Sequence, residues 1–348
     1  MTGNMTAETR FRSRLEPAGV FAIADHMSTT RRIFSVIANI IACAITLAPL
    51  AVALAALSRS EHQGLDLANQ FVAPALVASV VWTVALAVCR LRISAVFALV
   101  VTALLALAVW PQWFPARGKA DPASESLTVY SANLWARNTD VRAMAASIKA
   151  ANPDVVLLVE LGDAPSSELD TLLPDHQYRL VSSVGNRNVA PARALVASRW
   201  PLEAFEENTS DRLVALSARS ETPLGPVAFT SVHLTRPWPY RQQFVQVGQV
   251  EDLAVERERL GQTVIVAGDF NSVSSGLIGR QMKETTGLVP APGFPGTWPT
   301  KYPSPLGITI DQVWHSPDLV LTERKLGRKN GSDHRPVITR YQRAATVG

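Results

Sequence analysis

Cysteine is scarce in this chain of 348 residues, which contains only Cys43 and Cys89. Both lie in apolar segments, where cysteine behaves as a small buried hydrophobe. No cysteine follows residue 89, so the rest of the chain uses no disulfide and needs no reducing compartment. The cysteine content therefore does not indicate a cellular location.

Charged residues are absent from three long stretches before residue 111. Residues 33–57 carry no charge, and about 20 apolar residues are enough to cross a bilayer core. Residues 67–89 and 93–110 form two further uncharged segments, the former with polar residues near its start. The pattern predicts three transmembrane helices, and the alternative is a buried hairpin of core helices.

Arginine is unevenly placed around these segments. Residues 1–32 form a polar tail that ends in Arg31 and Arg32, and Arg90 and Arg92 stand between the second and third segments. Because cytoplasmic loops carry an excess of positive charge, these sites predict a cytoplasmic tail and an extracytoplasmic chain after residue 111. Two basic residues at 117 and 119 favour the opposite orientation.

The net charge of +4 does not by itself indicate a nucleic-acid-binding domain. Residues 1–120 contain 10 basic and 5 acidic residues, whereas residues 121–348 contain 23 basic and 24 acidic residues. The positive charge therefore belongs to the N-terminal region, and global charge defines no local patch. A basic cluster at residues 324–329 is the candidate contact for a nucleic acid.

Prolines and a glycine mark a linker at residues 111–124, and the pattern changes after it. From residue 125 to 342, apolar β-branched runs alternate with amphipathic stretches, which is typical of strands alternating with helices. Strands are predicted at 127–134, 153–159, 194–197, 214–217, 227–234, 264–267, 311–315 and 337–341, and helices at 139–151, 166–173 and 241–259. This order favours a sheet or sandwich covered by helices.

The most informative segment is the apolar run 264–267, which ends at Gly268 and is followed by Asp269 and Asn271. Side chains at i and i+2 of an extended backbone point to the same side, so a carboxylate and a carboxamide project together. Hard divalent cations take oxygen ligands, and an amide NH₂ can donate to phosphate oxygens. Taken alone, the segment fits an Asx turn equally well.

Other polar residues also stand at the ends of predicted strands, namely Asn133, Glu160, His233, Asp311 and the pair Asp333-His334. Each alone has a simpler explanation, such as a turn residue, a strand histidine or a capping acid. A buried glutamate is costly unless it is paired or metal-bound, and histidines serve in proton transfer. Together, the residues predict a site assembled at the rim of a sheet.

In this order the residues resemble the motif series of the endonuclease/exonuclease/phosphatase superfamily. That group includes pancreatic deoxyribonuclease, abasic-site endonucleases, neutral sphingomyelinases and inositol polyphosphate 5-phosphatases. The resemblance covers residues 125–342 and is carried by Asn133, Val159-Glu160, Ser231-Val232-His233-Leu234 with Pro237, Gly268-Asp269-Phe270-Asn271, Ile310-Asp311 and Ser332-Asp333-His334-Arg335-Pro336-Val337. Three apolar segments before such a domain resemble a membrane-anchored bacterial branch.

The resemblance implies an α/β fold, a four-layer α/β sandwich of two packed mixed β-sheets flanked by helices, and Mg²⁺-dependent phosphoester hydrolysis, with Mn²⁺ as an alternative metal. It implies catalytic roles for His233, Asp269, Asn271, Asp311 and His334, metal binding by Glu160, Asp333 and Asn133, and substrate binding by Asn271, His233, Trp238 and Arg241. Asp269 would orient or deprotonate water, and Asn271 would hold the phosphate. Gln312 departs from the family pattern, in which an aromatic residue or histidine is frequent.

The substrate stays open between nucleic acid and phospholipid. Trp135, Trp238 and Tyr240 near the predicted rim suit base stacking, lipid contact or ordinary packing. A non-catalytic binding module that retains the fold is a second hypothesis, against which the intact set of polar residues argues. A small transporter or channel subunit is a third, but the apolar segments hold no ionisable pathway. The sequence indicates no protein partner.

Overall fold

The computed structural model describes residues 18–183, 193–206, 213–237, 239 and 243–345, with side chains from residue 32 onward. The helices are α1 (Ala18–Leu57), α2 (Gln63–Asn69), α3 (Val72–Val88), α4 (Arg92–Trp113), α5 (Val141–Ala151), α6 (Asp163–Ser167), α7 (Leu169–Leu172), α8 (Gln243–Arg259) and α9 (Leu277–Thr286), with a 3₁₀ turn at Ser304–Leu306. The strands are β1 (Leu127–Asn133), β2 (Val155–Leu161), β3 (Tyr178–Val181), β4 (Arg193–Ser198), β5 (Glu203–Ala204), β6 (Val214–Thr222), β7 (Gly225–His233), β8 (Val264–Asp269), β9 (Val289–Pro290), β10 (Asp311–His315), β11 (Leu319–Leu326) and β12 (Val337–Arg343).

The strands form two mixed six-stranded sheets that pack face to face. Their strand orders are β11-β12-β1-β2-β4-β3 and β5-β6-β7-β8-β10-β9. The inner faces meet in one apolar core, in which Val129 and Leu157 of the first sheet pack with Phe229 and Ile265 of the second. Because alternate side chains of a strand point to opposite faces, the same strands bury a second set of apolar residues outward.

Helices cover both outward faces and complete a four-layer α/β sandwich, as predicted. Met144 and Ile148 of α5 pack on the first sheet beside Tyr130 and Leu158. Ile278 and Met282 of α9 pack on the second sheet, in a cluster that also contains Leu253 of α8, Val266 of β8 and Trp314 of β10. A strand buried on both faces is typically an unbroken apolar run, which explains the composition of β2 and β8.

Some elements were not predicted, and each has a weak sequence signal. Strands β3, β5 and β9 lie at or beside sheet edges and are short, and the exposed half of β11 is charged. Helix α9 begins after a serine-rich turn and carries few apolar residues. The predicted helix 166–173 is two short helices, α6 and α7, because the chain breaks its helical geometry at Glu168.

Helices α1 to α4 form an N-terminal helical unit, Ala18–Trp113. Within the described residues, Arg32–Leu57 and Arg92–Trp113 are long and apolar enough to cross a membrane, and α2 with α3 would make a third such element, bent by 56°. Interhelical hydrogen bonds join Trp82 Nε1 to Thr46 Oγ1 at 3.1 Å and Ser79 Oγ to Thr102 Oγ1 at 2.8 Å. Small buried residues at these contacts allow close helix packing.

The boundaries of this unit differ from those predicted. Helix α1 starts at Ala18, inside the predicted polar tail, and residues 1–17 lie outside the described residues. The predicted helix 67–89 is broken between Asn69 and Val72. Helix α4 continues to Trp113, so the linker begins later than residue 111.

Candidate active site

The parallel strand pairs bring the predicted polar residues to one edge of the sandwich. Asn133 ends β1, and Glu160 lies near the end of the adjacent parallel strand β2. His233 ends β7 and lies opposite Asp269, which ends β8. The carboxyl ends of parallel strands share an edge, so side chains far apart in sequence converge there.

Glu160 projects into this edge through an irregular backbone. Its φ is +51°, and the register of β2 against β4 shifts between Leu158 and Leu161. A non-glycine residue in the left-handed region costs about 1–3 kcal/mol and is concentrated at functional sites. A bulge re-aims a strand side chain, and here it turns the Glu160 carboxylate toward β1 and β8.

Gly268 allows β7 and β8 to approach closely before Asp269. Its φ is +149°, and a Cβ at this position would lie 1.9 Å from the Val232 carbonyl oxygen. Only glycine fits such a conformation without strain. The close approach therefore sets Asp269 beside His233.

Asn133 joins the two principal carboxylates. Its Nδ2 donates to Glu160 Oε1 at 2.9 Å and to Asp269 Oδ2 at 3.0 Å, while its Oδ1 accepts the amide of Trp135 at 2.8 Å. The Ala136 amide donates to Glu160 Oε2 at 3.1 Å. Asn133 thus fixes both carboxylates, and its role as a metal ligand stays a prediction.

His233 and Asn271 form the second part of the cluster. His233 Nε2 lies 3.6 Å from Glu160 Oε1 and 3.7 Å from Asp269 Oδ2. The Asn271 Nδ2 lies 3.3 Å from His233 Nε2 and donates to the Leu234 carbonyl at 3.0 Å, and the Asn271 backbone amide donates to Asp269 Oδ1 at 2.8 Å. The Asx turn considered for this segment is therefore present, and it holds Asn271 against His233.

His334 and Asp311 form a buried pair at the other side of Asp269. His334 Nδ1 lies 2.9 Å from Asp311 Oδ2, and His334 Nε2 lies 4.0 Å from Asp269 Oδ2. Asp333 is half-exposed, with Oδ1 3.8 Å from His334 Nε2, and its Oδ2 accepts the indole Nε1–H of Trp298 at 2.9 Å. Asp333 thus lies at the rim of the cluster rather than in its centre.

Burial and charge shift the protonation of these groups. Burial raises the pKa of Asp269 to about 6 against the effect of His334, and the Asp311 charge adds to the rise. Burial would also raise the pKa of Glu160, but His233 and the bonds from Asn133 and the Ala136 amide bring it below its usual value. For His334, burial disfavours the cation, yet the charge and hydrogen bond of Asp311 raise its pKa to about 10.

The cluster fits a divalent metal ion. Glu160, His233 and Asp269 each offer a ligand atom, and these atoms lie within 4.8 Å of one another; the same holds for Asp269, Asp311 and His334. Carboxylate oxygens are the ligands that Mg²⁺ and Mn²⁺ favour. The raised pKa of the buried Asp269 indicates a carboxylate that a nearby cation would stabilise.

The structure brings together seven of the predicted site residues, namely Asn133, Glu160, His233, Asp269, Asn271, Asp311 and His334. Trp238, Tyr240 and Arg241 lie outside the described residues. Trp135 is 45% exposed near this edge, so it is not an ordinary core residue.

Glutamines that sequence reasoning did not assign to the site support the loop after Asp269. Gln246 of α8 donates to the Phe270 carbonyl at 3.0 Å, and Gln312 donates to the Ser272 carbonyl. Gln312, which departs from the family pattern, thus helps to hold the loop after Asp269 in place. The only sequence feature that pointed to a role for Gln246 was the high glutamine content of segment 241–259. A bond from a side chain to a backbone carbonyl produces no periodic pattern in a sequence.

Comparisons with known proteins agree with this fold. The crystal structure of an endonuclease/exonuclease/phosphatase from Bacteroides vulgatus has 15% sequence identity and a TM-score of 0.53, over 63% of this chain and 99% of that chain. One from Beutenbergia cavernae has 19% identity and a TM-score of 0.51, over 63% and 72%. No curated protein matches the chain. A sequence profile of the endonuclease/exonuclease/phosphatase family matches residues 130–334, which is more than half of the chain. The chain belongs to the endonuclease/exonuclease/phosphatase family.

Proposed function

We propose that this chain is a membrane-tethered phosphoester hydrolase that depends on a divalent metal, Mg²⁺ or Mn²⁺, and acts on phospholipid head groups. The observation that carries the hydrolase assignment is the convergence of Glu160, His233 and Asp269 beside the Asp311–His334 pair. Three carboxylates, two imidazoles and two carboxamides at one edge supply metal ligands, a base and charge-stabilising donors.

The side chains suggest distinct roles. Glu160 would hold the metal, which when bound supplies charge stabilisation at the phosphoryl oxygens. Asp269, whose pKa is about 6, is mostly ionised at pH 7 and can accept a proton from water. The imidazolium of His334 faces the position where negative charge develops. His233 lies within reach to protonate a leaving group, and Asn271 orients a phosphoryl oxygen.

The contacts of the helical unit favour a lipid substrate. Gln63 Nε2 of α2 donates to the Pro237 carbonyl at 3.2 Å, in the loop that follows His233. On the other side of the site, the 3₁₀ turn Ser304–Leu306 contacts α3, and the Trp113 and Phe294 rings lie 4.7 Å apart. Both loops therefore contact the helical unit, in which α4 and the bent pair of α2 and α3 are candidate membrane spans.

Three of the four side chains in the predicted basic cluster bond to other parts of the chain, and the fourth, Arg328, is exposed. Arg324 Nη1 donates to the Pro295 carbonyl at 2.9 Å, and Lys329 Nζ donates to the Thr300 carbonyl at 3.0 Å. Lys325 Nζ lies 3.1 Å from Glu323 Oε1. A phosphate-tracking surface needs cations that are free to contact phosphates, so this cluster gives little support to a nucleic acid substrate.

A nuclease is the second candidate because of an aromatic residue beside the site. The Arg236 guanidinium lies 5.7 Å from the ring centroid of Trp298, whose indole bonds to Asp333. An aromatic face and an arginine at the rim are typical of a platform on which bases stack.

The test uses the full chain in phospholipid vesicles with Mn²⁺ or Mg²⁺. Release of phosphorylated head group, lost with EDTA and in His334→Ala, is the expected result. Metal-dependent nicking of supercoiled plasmid with no lipid hydrolysis would favour the nuclease. Absence of both activities, in a folded protein whose melting temperature rises with metal, would contradict the hydrolase assignment.

A further inference from the structure

Residues 271–277, which comprise most of the loop after β8 and the first residue of α9, contact the N-terminal helical unit. Asp66 of α2 is only 4% exposed. Its Oδ1 accepts the backbone amide of Leu277 at 2.6 Å, and its Oδ2 accepts the side-chain amide of Gln243, the first residue of α8. One carboxylate of the helical unit thus binds both helices that cover the second sheet.

Two glutamines of the helical unit hold the rest of the loop. Gln70, in the turn between α2 and α3, donates to the Asn271 carbonyl oxygen at 3.3 Å. The Gln112 Oε1, near the end of α4, accepts the hydroxyl of Ser275 at 3.2 Å, and the Gln112 carbonyl accepts the amide of Gly293 at 2.7 Å. Contacts from three separate places therefore reach one loop.

The burial of these polar residues indicates a specific contact between the helical unit and the sandwich. Asp66, Gln70 and Gln112 are each 9% exposed or less, and a buried polar group is costly unless it is hydrogen-bonded. Their side-chain bonds to the catalytic part of the chain end at residues 243 and 271–277. Membrane insertion alone needs no such groups, so their placement indicates that the two parts of the chain fit each other.

We infer that the helical unit positions the catalytic loop through Asp66, Gln70 and Gln112, so that the membrane anchor is a structural part of the active site; this inference rests on the proposed function. The loop carries Asn271, whose side chain contacts His233 and whose amide binds Asp269. Displacing such a group by about 1 Å can cost about 100-fold in rate. The three residues act through the loop and are positioning residues, not catalytic ones.

The experiment compares full-length protein in nanodiscs with two variants, Asp66→Ala and Gln70→Leu. Turnover of a soluble substrate, bis(4-nitrophenyl) phosphate, with Mn²⁺ gives kcat and KM, and hydrogen–deuterium exchange reports the order of residues 271–277. We expect kcat to fall about tenfold or more in Asp66→Ala and less in Gln70→Leu. KM should change less than about twofold, because the residues do not touch substrate. Exchange should rise locally in both variants.

Ser79→Ala is the matched control. Ser79 is a buried polar residue of the same helical unit, but its hydroxyl bonds to Thr102, within that unit. This variant should match the wild type in kcat and in loop exchange. Unchanged kcat and unchanged exchange in both test variants would overturn the inference, as would a uniform rise in exchange across the whole sandwich in Gln70→Leu. If the wild type is inactive, the proposed function fails, whereas a local rise in loop exchange still supports the positioning.

Discussion

Asp311 lies directly opposite Asp269 across the antiparallel pair of β10 and β8. Two buried carboxylates side by side repel each other, and the Asp311 charge adds to the rise in the pKa of Asp269. The His334 ring touches both, through Nδ1 to Asp311 and Nε2 toward Asp269. The pairing of the strands thus creates a local excess of negative charge. The His334 imidazolium offsets part of this charge, and a bound metal ion would offset the rest.

The first prediction concerns the protonation of His334 in the metal-free protein. Its pKa of about 10 exceeds the ordinary 6.5, so the folded chain binds this proton more tightly than the unfolded chain. The resulting stability is complete below pH 6.5 and is lost as pH rises toward 10. NMR titration with EDTA should show His334 cationic at pH 8.

Asp311→Asn tests the cause of this shift. The charge of Asp311 is the largest influence favouring the His334 cation, so the variant should lower the pKa of His334. His176 serves as an internal contrast, because burial lowers its pKa and it lies outside the site. A His334 that titrates at an ordinary value in the wild type would contradict the prediction.

The second prediction concerns metal binding by Glu160. Glu160→Gln keeps the shape of the side chain but removes its charge, so Mn²⁺ should no longer raise the melting temperature. In the wild type, metal at about 100 times its Kd should add about 2.7 kcal/mol to the free energy of unfolding. Glu168→Gln, at an exposed glutamate, is the control and should keep the full thermal shift. An equal metal-induced shift in Glu160→Gln would exclude Glu160 as a ligand.

The sandwich could be predicted from the sequence because its central strands bury both faces. Such strands read as unbroken apolar runs, as in 155–159 and 264–267, and polar residues at their ends mark the site. The edge strand β5 and the helix α9 lack that signal. The bulge at Glu160 could not be predicted, since its positive φ depends on the pairing of β2 with β4.

The junction between the helical unit and the sandwich was also beyond sequence reasoning. Asn69 and Gln70 are the polar residues that weakened the prediction of a transmembrane helix at 67–89. They are buried because they lie against the sandwich. Asn69 is 3% exposed, and Gln70 bonds to Asn271, 201 positions away. Nothing in the local pattern of residues 67–89 indicates such a partner.

The third prediction concerns Gly268. Gly268→Ala would place a Cβ 1.9 Å from the Val232 carbonyl oxygen, so β7 and β8 must separate. We expect a loss of about 3 kcal/mol or more in the free energy of unfolding, together with loss of activity. Gly287→Ala is the control, because φ there is +68° but no atom lies within 4 Å of the added Cβ. It should cost about 1 kcal/mol, and equal losses in both variants, measured by denaturant unfolding, would refute the steric argument.

The fourth prediction concerns membrane orientation. Gln63 of α2 contacts Pro237, so the segment between α1 and α3 lies on the same side of the membrane as the sandwich. Cys89 lies at the other end of α3, next to the arginines that predict the cytoplasm. In a Cys43→Ala protein, an impermeant maleimide should label Cys89 only after cells are permeabilised. Glu61→Cys, introduced into a chain without Cys43 and Cys89, should be labelled in intact cells. The reverse pattern would place the catalytic site in the cytoplasm and exclude lipids of the outer membrane face as its substrate.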